Sequence, residues 1–184
     1  MTAPEPCIAL LRAVNVGGHN AVPQKALEAS LEAELGVPVR HYLQSGNLAV
    51  ASADAASLGG VVARSIHDQT GLEIAVIVRT LPQLEAMHAA NPWPDAEARL
   101  VHLSVFDGPI EAAAVESVRS GDWAGDEVAF VEGGAWMRYA TSSQGSKLGN
   151  HVLERRLGIG ATARNARTVA AMVDLARTLP AADR

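Results

Sequence analysis

Hydrophobic residues follow two rhythms along this chain: short, nearly continuous apolar runs, and longer stretches in which they recur every three or four positions. The first run, CIALLRAV at 7–14, is apolar apart from Arg12 and reads as a central strand covered on both faces. Leu27, Leu31 and Leu35 then mark a helix, with Pro23 suited to its first turn. A strand from Val39 to Leu43, a turn at Gln44-Ser45-Gly46-Asn47 and a returning strand from Leu48 to Ala51 form a hairpin. A helix from about Ala55 to Thr70, with Leu58, Val61, Val62 and Ile66 on one face, leads to a strand from Glu73 to Arg79. The order β-α-β-β-α-β is that of a ferredoxin-like unit.

A second round follows. A linking helix, about Leu81 to Ala90, and the rigid Asn91-Pro92-Trp93-Pro94 segment precede a strand from Arg99 to Phe106 and a helix from Pro109 to Val118. Val128–Val131 and Trp136–Tyr139 form a hairpin around Gly133-Gly134. Two helices are expected to end the chain. The first runs from Lys147 to Leu157 and stops at Gly158; the second has Thr162 as N-cap and Val169, Met172, Val173, Ala176 and Leu179 as its buried stripe. This reading gives β-α-β-β-α-α, with the last strand missing. The chain is therefore expected to be α+β, its 184 residues divided into a first subdomain at 1–80 and a second at 81–184.

The topology brings distant residues together. In a β-α-β-β-α-β unit the first two strands run parallel, so the loop after the first and the turn after the second share one end of the sheet. Arg12, Asn15, Gly17, Gly18, His19 and Asn20 should face Gln44, Ser45 and Asn47. As a ligand site these would supply a cation and several hydrogen-bonding groups; as a structural device they would bond to one another and close the end of the sheet. The two glycines between strand and helix resemble phosphate-cradling loops, but neither GxGxxG nor GxxxxGK[ST] is present.

Composition narrows the function classes. With 48% hydrophobic residues the chain can bury a substantial core, and a net charge of -5 argues against a general duplex-DNA binder. The opening MTAPEP has no positive n-region and no long apolar run, and no segment approaches membrane-spanning length, so a cytoplasmic protein without membrane contact is expected. The single cysteine, Cys7, excludes an intramolecular disulfide framework. His41, His67, His88, His102 and His151 show no metal-ligand spacing, so neither metal nor cofactor is expected.

Charge is unevenly placed. Residues 142–168 hold five of the fifteen Lys and Arg residues (Lys147, Arg155, Arg156, Arg164, Arg167) against one acid, Glu154. On a helix from Lys147, the residues Lys147, His151 and Arg155 form a polar stripe, whereas Arg156 falls among Val152, Leu153 and Leu157. A guanidinium on an apolar face requires a partner, which is either an internal group or a ligand anion. Arg164 and Arg167 fall in the first turns of the expected last helix, where the dipole favours an anion among the free N–H groups.

LLRAVNVGGHN at 10–20, YLQSGN at 42–47 and SKLGNHVLERRLGIGATARNARTV at 146–169 resemble the bacterial family of domain of unknown function 1697. The resemblance implies two intertwined ferredoxin-like subdomains and no particular activity. Among the family-like positions are Ser146, Lys147, Glu154, Arg155, Arg164 and Asn165. Ala13 stands where the family pattern has glycine, and Ala166 where it has an aromatic residue.

Three functions follow as expectations. The first is binding of an anionic or phosphate-bearing ligand, a nucleotide, short single-stranded RNA or a phosphorylated metabolite, in a basic polar cleft; an aromatic content of 4% leaves few bases-stacking candidates for RNA. The second is an enzyme on a small anionic substrate, with His19 as acid or base. The third is a structural or protein-interaction module without a ligand.

Overall fold

The structure, a computed structural model, describes residues 5–15 and 20–180. Within them lie two four-stranded antiparallel sheets and six helices, an α+β architecture in which each sheet has its own ferredoxin-like connectivity. The chain divides into two compact units, Met1–Glu85 with Ala171–Arg184, and Ala86–Ala170.

In the first unit β1 (Glu5–Leu11), α1 (Gln24–Leu35), β2 (Val39–His41), β3 (Asn47–Ala53), α2 (Ala55–Thr70) and β4 (Val76–Thr80) give the sheet order β2-β3-β1-β4. The apolar run at 7–14 is a central strand, as its composition predicts. Cys7, Ala9 and Leu11 join Leu27, Leu31, Leu58, Val62 and Ile66 in one core, while Ile8 and Leu10, on the opposite face, are also buried. Both helices end where glycine permits a left-handed turn: Gly36 at φ 66° and Gly71 at φ 71°.

In chain order β4 is followed directly by α3 (Leu81–Ala89). The second unit then contains β5 (Val101–Phe106), α4 (Ala112–Arg119), β6 (Glu127–Val131), β7 (Gly134–Arg138), α5 (Asn150–Leu157) and β8 (Ala161–Asn165), in the sheet order β6-β7-β5-β8. This is the order of the first sheet repeated, element for element. Phe106, Val118, Met137, Val152, Leu153 and Leu157 belong to its core. Last comes α6 (Ala166–Thr178).

The strand β8 corrects the sequence reading, which left the second unit without its fourth strand and placed a helix start at Thr162. Residues 161–165, ATARN, alternate apolar and polar only through two alanines and hold one β-branched residue, so local propensity does not announce a strand. Pairing with β5, from Phe106 opposite Ala161 to His102 opposite Asn165, supplies what the local sequence lacks. Thr162 is buried in that strand opposite Val105. The cap of α6 is Asn165 instead, its Oδ1 accepting the Thr168 N–H at 2.9 Å.

Candidate functional site

At one end of the first sheet the outgoing β1 meets the β2–β3 turn. The Leu11 N–H donates to the Gly46 carbonyl at 2.9 Å and the Arg12 N–H to the Ala75 carbonyl at 3.0 Å. Beyond them Ala13 and Asn15 both turn left-handed, each at φ 53°, and Asn20 does so at φ 52°. Asn20 Nδ2 donates to the Ala13 carbonyl at 2.9 Å, and the Asn15 N–H donates to the Asn20 carbonyl at 3.1 Å. Asn15 brackets the loop from within: its Oδ1 accepts the Val22 N–H at 3.2 Å, and its Nδ2 reaches the carbonyls of Val22 and Gln44.

The turn opposite is held by Asn47, whose side chain is fully buried and donates to the Tyr42 carbonyl at 2.8 Å and to Ser45 Oγ at 3.0 Å. Leu43 occupies the left-handed region at φ 60°, with its side chain exposed. Gly46, at φ 75°, packs so closely that a Cβ there would stand 2.6 Å from Leu11 Cβ and from Val14 Cγ2. The expected juxtaposition with the 44–47 turn is therefore present for Asn15, which bonds to Gln44, whereas Asn20 bonds within its own loop; Asn15 and Asn47 serve as brackets. Gly17, Gly18 and His19 lie outside the described residues.

The corresponding end of the second unit is plainer. The Phe106 N–H donates to the Gly133 carbonyl at 3.0 Å, and the Asp107 N–H to the Gly160 carbonyl at 2.9 Å, as Leu11 and Arg12 do in the first. Its hairpin turn is only Glu132-Gly133, and Asp107 stands at the register position of Arg12.

The basic stretch of the second unit is spread over several elements. The helix expected from Lys147 begins at Asn150, so Lys147 precedes it and no Lys147–His151–Arg155 stripe forms on one helix. Lys147 and Arg155 are exposed. Ser146 Oγ bonds to the Asp126 carboxylate and accepts the Leu148 N–H at 2.8 Å, fixing the approach to α5. Arg156 is not submerged in the apolar face: it is exposed, lies 4.8 Å from the Trp123 ring centroid and donates to the Ser117 carbonyl. Its partners are thus an aromatic face and a backbone oxygen of its own unit.

Arg164 sits on β8 opposite Leu103, not on a helix. Its Nη1 donates to Thr162 Oγ1 and to the Ala163 carbonyl, both at 2.8 Å. Burial pushes the guanidinium down to about 10, which leaves it cationic at neutral pH. Arg167 is placed differently. It is exposed in the first turn of α6 and pairs with no carboxylate among the described residues.

Beside Arg167 lies an open pocket of about 510 Å³, lined by His88, Asn91, Pro94, Ala98, Ala166, Arg167 and neighbouring alanines. The end of α3 is tied into this unit by Trp136, whose Nε1 donates to the Met87 carbonyl at 2.9 Å. His88 Nδ1 is buried without a hydrogen-bond partner among the described residues. Asn91 accepts the Trp93 N–H at 3.0 Å through Oδ1, which turns the chain into the Pro-Trp-Pro segment. Sequence reasoning missed His88 and Asn91 as lining residues. The rigid 91–94 segment was visible, but nothing local reveals that it returns beside the start of α6. Ala166, which stands where the family pattern has an aromatic residue, lines the same pocket.

Among the described residues no group of three or more His, Cys, Asp and Glu is arranged to hold a metal ion, and no helix is long and apolar enough to cross a membrane.

A family model described as "Protein of unknown function (DUF1697)" matches residues 5–136. The chain belongs to this family. No curated protein matches it. Among solved structures this DUF1697 chain is similar to the conserved bacterial protein SP0830 from Streptococcus pneumoniae, at 20% identity and a TM-score of 0.72, covering 95% of this chain and 99% of that one. That likeness is one of fold, and it covers more of the chain than the family match does.

Proposed function

We propose that this DUF1697 protein binds a small anionic ligand, and that the pocket at the start of α6 is where it does so. The observation that carries the reading is Arg167: a guanidinium that pairs with no carboxylate among the described residues, lining a pocket of about 510 Å³ beside the imidazole of His88 and the amide of Asn91. A pocket of that size suits a small molecule. Arginine presents a planar fork that matches a carboxylate or phosphate, and the first turn of a helix favours negative charge. A structural role for Asn15, Asn47 and Arg156 is the second reading, favoured by their internal hydrogen bonds. It complements the first, because it removes those residues from the ligand set and leaves Arg167 in it.

The test is a thermal-shift screen of the wild type and of Arg167→Ala against inorganic phosphate, nucleotides, short RNA and small organic acids. A ligand that binds only the folded state raises stability by about 2.7 kcal/mol at a hundredfold excess over Kd. The expected result is a concentration-dependent rise for an anion class that Arg167→Ala abolishes. Equal shifts in the two proteins would rule out this pocket.

A further inference from the structure

We infer that the pocket's ligand is an aliphatic carboxylate, a singly charged head on a short saturated chain, rather than a nucleotide or an oligonucleotide. The inference rests on the anion reading above and adds the ligand's chemical class. Its basis is the division of the lining into two kinds of surface. Arg167, His88 and Asn91 supply the polar part; Pro94 and the alanines at 89, 98, 166 and 170 supply the rest.

The polar part fits one negative charge. Among the described residues Arg167 is the only cationic side chain of fixed charge on the lining, and no carboxylate neutralises it. A carboxylate carries one charge and two coplanar oxygens, which a single guanidinium fork can satisfy. A phosphate monoester would bring about 1.5 to 2 negative charges to the same lone cation. The Asn91 amide nitrogen, whose oxygen is already engaged by the Trp93 N–H, and the His88 ring are further donors within the same lining.

The remaining wall argues for the body of the ligand. Nucleobases are held chiefly by stacking on aromatic planes; among the described residues this lining contains no Phe, Tyr or Trp, and its guanidinium, that of Arg167, is engaged by the ligand's anionic head. Alanine methyl groups and a proline ring instead form a shallow saturated surface. Such a surface attracts alkyl chains in proportion to the apolar area they cover.

The experiment is calorimetric titration of the full chain with acetate, butyrate and hexanoate, with inorganic phosphate, butyl phosphate and AMP as competitors in class. Affinity should rise from acetate to hexanoate, by up to about fourfold for each methylene that is fully covered. Arg167→Ala should abolish binding of every acid. Ala170→Leu, which fills the apolar side, should flatten the dependence on chain length while acetate still binds. Each variant's ligand-free melting curve establishes that it is folded. Tighter binding of AMP or phosphate than of hexanoate, still lost in Arg167→Ala, would overturn this inference and leave the anion site standing. Failure of every anion to bind would overturn both.

Discussion

Asn15 and Gln44 are 29 residues apart in sequence, yet the Asn15 amide donates to the Gln44 carbonyl. That bond ties the loop after the first strand to the turn after the second. Because Asn15 also sits at φ 53°, its backbone and its side chain contribute separately, and substitution can separate them. Asn15→Gly keeps the left-handed backbone accessible but deletes the bonds to Gln44 and Val22, at an expected cost of about 1–2 kcal/mol. Asn15→Ala deletes the same bonds and adds a left-handed alanine, a further cost of about 1 kcal/mol. Urea midpoints should therefore fall in the order wild type, Asn15→Gly, Asn15→Ala. A midpoint for the alanine variant equal to or above that of the glycine variant would refute the backbone half of this account.

Ala13 leads to a prediction of the opposite sign. It too adopts φ 53°, but it carries no side-chain hydrogen bond that could offset the strain. Ala13→Gly should relieve a left-handed cost of about 1–2 kcal/mol, less the 0.5–1 kcal/mol or so that glycine loses in chain entropy on folding. The expected net gain is about 0.5–1 kcal/mol, seen as a higher urea midpoint with an unchanged slope. A lower midpoint would mean that the Ala13 methyl group makes contacts worth more than the strain. The same φ gives a physical reason for glycine at this position in the family pattern.

The first unit was almost fully legible in the sequence because its signals are local. A continuous apolar run, leucines at helical spacing and a Ser-Gly-Asn turn each announce one element, and the parallel relation of β1 and β2 then predicts that Asn15 and Gln44 meet. The second unit was legible in its order of elements only as far as Gly158, and there α5 starts at Asn150 rather than Lys147. ATARN becomes a strand through its pairing with β5, a long-range relation that no window of five residues contains. Missing β8 moved the start of α6 and so misplaced Arg164 and Thr162, whereas Arg167 remained in the first turn of a helix. Arg156 shows another limit. A helical wheel gave its angular position on α5, but Trp123 and Ser117, which receive it, come from a different part of the unit. His88 and Asn91 were hidden for the same reason, since a pocket wall is assembled by tertiary structure.

Arg156 is expected to stabilise the fold and to take no part in anion binding. Its guanidinium covers the Trp123 ring and donates to the Ser117 carbonyl, linking α5 to the region around α4. At an exposed site a cation–π contact is worth about 0.5–1 kcal/mol. Arg156→Ala should lower stability by about 1–2 kcal/mol once the lost carbonyl bond is included, with Arg156→Lys intermediate because lysine keeps the charge but not the planar fork. The shift produced by any anion that binds the wild type should persist in both variants. Loss of that shift in Arg156→Ala, with the protein still folded, would return Arg156 to the ligand set.

His102 sets an expected pH dependence. Its ring lies on β5, edge-on to Tyr139 with centroids 5.2 Å apart, and its Nε2 is 3.1 Å from the Arg99 carbonyl, which assigns the proton to Nε2 in the neutral ring. Burial holds its pKa below the ordinary imidazole value, only partly countered by the Arg99 carbonyl. The folded protein therefore takes up this proton less readily than the unfolded chain. The neutral ring's contribution to stability is fully present above the unfolded value of about 6.5, declines as pH falls from there towards the lower folded value, and levels off beneath it. For one proton the slope in that window is at most about 1.4 kcal/mol per pH unit. Unfolding free energies of the wild type and of His102→Phe, which preserves an aromatic ring against Tyr139 but cannot titrate, should diverge between pH 7 and pH 5, with the wild type losing more. The Arg99 hydrogen bond is lost in the variant at every pH and so displaces its curve without tilting it. Parallel curves across that range would show that His102 titrates alike in the folded and unfolded states, contrary to the desolvation its position imposes.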